Sequence, residues 1–295
     1  MGLVDALVRD NLKNAHAKLC DLLNSNVIFF FYYGPMLFDT PHMFNESISS
    51  IKEKKGVLSI ILTTPGGSVE PTERAVEIIR NNFRQVYFVV PDYAMSAGTI
   101  FCMSGDKILM SDISSLGPID PQLQQSDGTL IPALGYLEQL EKMIKKSKDG
   151  KISAVEIDML RRLDLGDINR YEQARNLTIT LLKKWLVTYK FKNWKIHHTN
   201  QKLKGNPVTA AEKEKRAEEI ARKLGDVKLW HSHGRHISAR TLKSELRLKI
   251  ENYSLKKELK GAIDCYQGIA IDYIQKNGYL LFMHGENMLR VIGRG

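Results

Sequence analysis

The sequence has little cysteine and no long apolar run. Its three cysteines are widely spaced and none forms a Cys-x-x-Cys pair, which argues against a disulfide framework or a zinc site and for a reducing compartment. The longest apolar run, residues 27–33, is too short to cross a bilayer, and the charged first 20 residues do not resemble a signal peptide. No Gly-x-Gly-x-x-Gly follows a strand-like run. These absences predict a cytoplasmic protein without a membrane span, a metal or a nicotinamide cofactor.

The charge balance is basic but does not by itself identify a partner. The 295 residues include 43 Lys and Arg against 33 Asp and Glu, a net charge of +10. Such a balance suits anionic partners, but basic residues are not interleaved with aromatic residues as in single-strand binding grooves. We therefore expect a Lys-rich surface and no nucleic-acid partner. The length allows one large α/β domain with additions.

Apolar runs and helical patterns alternate in the first 110 residues. Strand-like runs at 57–62, 86–90 and 107–110 are separated by helical patterns starting after Gly67 and at 97–103. This β-α-β-α-β order requires a mostly parallel sheet with right-handed crossovers. The sequence therefore predicts an α/β fold.

Two small-residue turns follow neighbouring strands of this predicted sheet. The segment TTPGGS (63–68) follows the first strand, and AMSAGT (94–99) follows the second. Two glycines let backbone N–H groups approach a bound group closely, and a serine that opens a helix lies where an oxyanion is favoured. Because parallel strands bring their carboxyl ends to one edge of the sheet, the two turns together predict a site for acyl transfer.

The stretch from these turns to SSLGPIDPQ (114–122) resembles the Clp-protease/crotonase superfamily. It is most similar to the serine dehydrogenase proteinase branch, whose members are relatives of signal peptide peptidase A; the strong match covers 57–122 and a weaker one extends to about residue 250. The resemblance implies a Clp-protease/crotonase-like β-α-β spiral and a peptide or protein substrate. It also implies Ser96 as the nucleophile, with an oxyanion site formed by Gly67 and Ala97 and bordered by Gly66.

The resemblance does not cover the ends of the chain. We expect an N-terminal helix within 1–25, a catalytic domain at 26–252, and a C-terminal helix and β-hairpin at 253–295. The superfamily forms trimers, hexamers or larger rings, and the apolar stripes of the helices at 3–23 and 256–276 could contact other subunits. A homo-oligomer is therefore predicted.

The general base is not evident from the resemblance. The loop in which Clp proteases place their catalytic histidine has none here, and Asp120 in that loop is interpreted as a turn cap. His231 and His233 fall about where the family keeps the aspartate of its triad, and Lys151 resembles the lysine of signal peptide peptidase A. An imidazole with a pKa near about 6.5 needs little tuning, whereas a lysine must lose roughly three pKa units by burial. His233 is therefore preferred, followed by His231 and then Lys151.

Two other classes of function compete with a serine hydrolase. A crotonase-type acyl-CoA enzyme would share the oxyanion hole but normally uses paired carboxylates, and only Asp92, Asp112 and Asp120 lie near the turns. A non-catalytic scaffold or binding protein on the same fold is the other alternative. The serine at the second turn favours the hydrolase.

Overall fold

The computed structural model describes residues 2–23, 27–51, 56–124, 130–198, 201–286 and 288–293. Its strands are β1 Val27–Tyr33, β2 Val57–Thr63, β3 Gln85–Val90, β4 Tyr93–Ala94, β5 Lys107–Met110, β6 Ser115–Leu116, β7 Gln122–Gln124, β8 Leu130–Pro132, β9 Ile237–Ser238, β10 Glu251–Asn252, β11 Tyr279–Gly285 and β12 Met288–Gly293. Its α-helices are α1 Leu3–Leu23, α2 Thr40–Ser49, α3 Val69–Asn82, α4 Ala97–Met103, α5 Ala133–Lys148, α6 Ala154–Arg161, α7 Leu165–Trp185, α8 Ala210–Leu224, α9 Val227–Trp230, α10 Ala239–Glu245 and α11 Lys257–Asn277. A π-helical turn, Leu186–Lys190, follows α7, and a 3-10 turn, Tyr253–Leu255, precedes α11.

A seven-stranded sheet organises the chain in the order β10-β5-β3-β2-β1-β11-β12. The pairs from β10 to β1 are parallel, and β1-β11 and β11-β12 are antiparallel. The sequence predicted the helix at 97–103 and the strand at 107–110 with these same bounds. The polar-faced pattern of residues 42–55 also predicts a helix; the structure ends it at Ser49, and residues 52–55 lie outside the described residues.

Both faces of this sheet are covered, as expected of parallel strands with continuous apolar sequence. Phe31, Ile61 and Val89 lie in register on neighbouring strands and face α1 and α11. The residues next to them in sequence, such as Leu62 and Val90, belong to the larger core on the other face, with α2, α3, α4, α7 and α8. The structure is therefore a layered, mixed α/β fold with a mostly parallel sheet.

The terminal helices α1 and α11 pack on one another against the sheet. Leu12 and Leu19 from α1 share a buried cluster with Ile263 and Tyr266 from α11. The apolar stripes of the two helices are therefore largely used within the chain, which removes one argument for the predicted homo-oligomer. Because β11 pairs with β1, the C-terminal hairpin also extends the central sheet, and the division into segments at 25 and 252 stays a prediction.

A small second sheet positions the loops at the carboxyl edge. Strand β4 pairs in parallel with β6, and β6 pairs antiparallel with β9. Single bridges join Thr64 to Ala94 and Met36 to Gly67, which ties the turns after β1, β2 and β3 together. The two small-residue turns are therefore brought side by side.

Candidate active site

Ser96 lies at the start of α4 in a strained backbone conformation. Its φ is 50° and its ψ is −117°, a combination that costs a residue with a side chain energy and occurs mainly where the surrounding structure enforces it. Every residue of α4 is buried, and the Thr99 hydroxyl lies 2.7 Å from the Ala94 carbonyl oxygen and accepts the Gly117 N–H at 2.9 Å. The buried helix thus holds Ser96 at a sharp, half-buried turn.

The two glycines of the first turn are required by close packing. Gly66 has φ +102°, and a Cβ there would lie 2.9 Å from Ser96 Cβ and 2.7 Å from the Met95 carbonyl oxygen. Gly67 has φ +142°, and a Cβ there would lie 2.3 Å from the Met36 carbonyl oxygen. Real Cβ atoms do not approach other atoms this closely, so only glycine fits either position.

Two backbone N–H groups at the turns around Ser96 have no acceptor among the described residues. The Gly66 N–H donates to Thr64 Oγ1 at 3.1 Å, so it is not available as a donor in the predicted oxyanion site. Gly66 instead allows the turn to approach Ser96 closely. In the part of the chain that the structure describes, neither the Gly67 N–H nor the Ala97 N–H donates a hydrogen bond. The two donors that the resemblance implied are therefore free to bind a substrate oxygen.

His233 is paired with Asp120, the loop residue interpreted from sequence as a turn cap. His233 Nδ1 lies 2.9 Å from Asp120 Oδ1, and Asp120 Oδ2 accepts a 2.7 Å hydrogen bond from Gln122 Nε2. Only 2% of the Asp120 side chain is exposed, against 30% for His233. A buried carboxylate needs such partners, and here one oxygen contacts His233 across the fold while the other accepts within its own loop.

This pairing fixes the roles of the two imidazole nitrogens. A carboxylate accepts but does not donate, so Nδ1 of a neutral His233 carries the proton. Nε2 is then left with a lone pair, the form that a general base requires. The loop that carries Asp120 is fixed on both sides, because the Ile119 N–H donates to the Leu224 carbonyl and the Pro121 carbonyl accepts from the Ala133 N–H.

The structure does not bring the other two predicted bases to this pair. His231 is exposed and ends α9 in the left-handed conformation, with φ 63°. Lys151 is exposed just beyond α5. Within the described ranges, neither side chain makes a hydrogen bond or an ion pair with Ser96 or Asp120.

A hydrogen-bonded serine–histidine pair lies close by and was not anticipated from sequence. Ser115 Oγ on β6 is 2.6 Å from His236 Nδ1, which immediately precedes β9. Ser115 is buried, whereas His236 is exposed and contacts the Tyr93 ring edge-on. Local patterns could not show this contact, since it depends on strands β6 and β9 pairing across 121 residues.

A cavity of about 300 Å³ opens behind the Asp120 loop. It lies between α5, α7 and α8, and its lining includes Ile119, Pro121, Leu137, Ile179 and Ala221, with charged side chains at its rim. Neither Ser96 nor the two glycines line it. The cavity is therefore separate from the two turns.

The family model of the ClpP-like SDH-type serine proteinases matches residues 42–203. This is more than half of the 295 residues, and it includes both turns and Asp120. The chain belongs to this family of ClpP-like, serine-dehydrogenase-type serine proteinases. The predicted family and the ClpP-like fold class are thereby confirmed.

Two uncharacterised proteins of Methanocaldococcus jannaschii are similar over short stretches. MJ0137 is 38% identical over 68 residues, which cover 23% of this chain and 24% of the relative. MJ1495 is 29% identical over 100 residues, which cover 34% of this chain and 32% of the relative. The similarity thus spans about a quarter to a third of these relatives.

Two solved structures of mutants of the 1510-N membrane-bound stomatin-specific protease are also similar. Both are 15% identical in sequence, with TM-scores of 0.44 and 0.45, and the second holds a substrate peptide. The matches cover 79% and 76% of this chain, and 82% and 73% of the other chains. Among the described residues of the present chain, no helix is both long enough and apolar enough to cross a membrane.

Proposed function

We propose that this chain is a serine peptidase in which Ser96 is the nucleophile. A strained serine lies at a turn packed against the glycine turn, and the Gly67 and Ala97 N–H groups have no acceptor in the described part of the chain; this juxtaposition is the main support for the proposal. Membership of a serine proteinase family supports it. The substrate class that follows is a peptide or a protein.

The reaction follows from this arrangement. Ser96 Oγ attacks the scissile carbonyl carbon, and the carbonyl oxygen takes up the negative charge as the double bond opens. The Gly67 and Ala97 N–H groups then donate to this oxyanion; a single donor of this kind contributes about 10²–10³ in rate. The C–N bond breaks when the oxyanion collapses, which leaves an acyl-enzyme for water to hydrolyse.

His233 is the proposed base, and Asp120 holds it. His233 Nε2 takes the Ser96 proton and passes it to the leaving amine, while Asp120 accepts from Nδ1–H and stabilises the imidazolium. Relative to the Clp pattern, the two residue types are exchanged between loops: the aspartate occupies the histidine loop and the histidine occupies the aspartate segment. In the described chain the Ser96 hydroxyl makes no hydrogen bond, and such bonds often form only with substrate present.

The test of the nucleophile is covalent labelling. Intact-mass analysis after treatment with a fluorophosphonate is expected to show one adduct on the wild type and none on Ser96→Ala. Ser115→Ala is the matched control, because Ser115 is the serine already hydrogen-bonded to a histidine. Loss of the adduct in Ser115→Ala, with retention in Ser96→Ala, would show that the nucleophile has been misassigned.

The test of the base compares three substitutions by their rates of peptide hydrolysis. His233→Ala is expected to lose most activity, whereas His231→Ala and Lys151→Ala keep it, since both of these side chains are exposed and unconnected to Asp120. Loss in Lys151→Ala alone would instead identify a Ser–Lys dyad.

Assembly and location are further parts of the proposal. A homo-oligomer is supported by the exposed apolar side chains at the start of α1, where Leu3, Val4 and Leu7 are 78%, 53% and 54% exposed; a cytoplasmic location stays a proposal from the sequence. Light scattering at micromolar concentration is expected to give a multiple of the 33.6 kDa chain mass. A monomeric mass would contradict this part.

A further inference from the structure

The segment that leaves β1 is attached directly to the glycine turn. The Met36 N–H donates to the Gly66 carbonyl at 2.7 Å, and the Met36 carbonyl accepts the Ser68 N–H at 3.1 Å. Phe38 lies two residues beyond Met36 and is 82% exposed, as exposed as any large apolar side chain described. Two residues span at most about 7 Å even when extended, so the Phe38 Cα lies no farther than this from the Cα of Met36, the residue bonded to the glycine turn.

The turn that carries Phe38 is held in place by a buried hydroxyl network. The Tyr32 hydroxyl donates to the Pro35 carbonyl at 2.7 Å and lies 3.0 Å from Thr40 Oγ1. Thr40 Oγ1 accepts the Leu37 N–H at 2.9 Å, and the Thr40 N–H donates to the Leu37 carbonyl at 3.0 Å. Tyr32 and Thr40 are fully buried, so the turn is anchored in the core while its tip faces solvent.

An aromatic side chain on an anchored turn loses little conformational freedom when a ligand covers it. Resting on the proposed function, we propose that Phe38 is a specificity residue that contacts an apolar side chain of the peptide substrate close to the scissile bond. The hydrogen bonds between Met36 and the glycine turn favour a substrate over a second copy of the chain, because they place the Phe38 turn beside the group that binds the scissile carbonyl. The site is thereby selective for peptides with a large apolar residue within about three positions of the cut.

The experiment uses quenched-fluorescent peptides that differ at one position near the cut, Leu in one peptide and Ser in the other. The quantity measured is the ratio of kcat/KM for the two peptides within each variant. The wild type is expected to prefer Leu by about tenfold. Phe38→Ser brings the ratio close to one, and Phe38→Leu, which keeps an apolar side chain, preserves it.

Leu165→Ser is the matched control, since Leu165 is 79% exposed at the start of α7 and belongs to neither of the two turns. It is expected to keep the wild-type ratio. An unchanged ratio in Phe38→Ser overturns the inference. So does a fall in oligomer mass without a change in the ratio, because Phe38 would then be a subunit contact.

Hydrolysis of a small activated ester separates the role of Phe38 from the role of Ser96. Hydrolysis of a small activated ester by the wild type, and its loss in Ser96→Ala, tests the nucleophile without any apolar peptide side chain. If the wild type shows no Ser96-dependent ester hydrolysis, the proposed function is wrong. If it shows such hydrolysis but has equal kcat/KM for the Leu and Ser peptides, only the proposed role of Phe38 is wrong.

Discussion

Replacement of Gly66 by alanine is expected to damage the site far more than it damages the fold. The added Cβ would lie 2.9 Å from Ser96 Cβ, and ordinary contact begins at 3.4 Å, so Ser96 or the glycine turn must move by at least 0.5 Å. The Met95 carbonyl, at 2.7 Å from the same Cβ, requires a larger shift of backbone. A displacement of about 1 Å in a catalytic arrangement can cost about 10² in rate.

The expected loss of folding stability in Gly66→Ala is modest beside the expected loss of catalytic rate. Gly150→Ala serves as the control for backbone strain. Backbone strain at φ +102° adds about 1–3 kcal/mol to the folded state. Gly150 also has a positive φ, +66°, but a Cβ there meets nothing within 4 Å. Gly150→Ala therefore carries conformational strain without the clash at Ser96.

Urea unfolding and peptide hydrolysis, measured on both variants, separate the two effects. Gly150→Ala is expected to lose about 1–3 kcal/mol of unfolding free energy, and Gly66→Ala loses more because its Cβ also clashes with Met95 and Ser96. Only Gly66→Ala is expected to lose about a hundredfold in kcat/KM. If Gly66→Ala hydrolyses peptides as fast as Gly150→Ala, then the close approach of the glycine turn to Ser96 has no role in catalysis.

Two further predictions concern the contacts of His233 and His284. Asp120→Asn is expected to lower kcat by about 10³–10⁴ with little change in fold. The side-chain N–H of the asparagine can donate to His233 Nδ1, so the imidazole proton lies on Nε2, which then has no lone pair to accept the serine proton. Stopped assays of peptide hydrolysis measure kcat, and a near-normal kcat would refute the role of Asp120. Burial lowers the pKa of His284, beside the Tyr266 hydroxyl, from 6.5 to about 3. A depressed histidine pKa means that the unfolded state binds the proton first, so this group destabilises the fold as the pH falls below about 6.5, by about 2 kcal/mol at pH 5. Urea titrations at pH 7.5 and 5 are expected to show a smaller pH dependence in His284→Phe, and an unchanged one would contradict the assignment.

The parts of the fold and site that could be predicted from sequence are those encoded locally. The composition of the sequence and the spacing of its apolar residues predict the bounds of α4 and β5. The two glycines and Ser96 are recognisable because their turns need small residues and follow apolar strands. The neighbouring positions of the two turns follow from parallel pairing alone.

The contacts that could not be predicted join distant parts of the chain. The partner of His233 is Asp120, 113 residues earlier, and a short loop rich in Gly, Pro and Asp gives no sign that its carboxylate crosses the fold. The packing of α1 on α11, and of β11 on β1, likewise depends on which apolar faces meet. An amphipathic stripe shows that a helix is covered, but not whether this chain or another subunit covers it.

Peptide mapping of the fluorophosphonate adduct shows which side chain is the nucleophile. Proteolysis of the labelled wild-type chain, followed by fragmentation mass spectrometry, is predicted to place the phosphonate on Ser96 Oγ, between β4 and α4. An adduct on Ser115 or any other residue, or no adduct on a folded chain that hydrolyses peptides, would contradict the assignment of Ser96 as nucleophile.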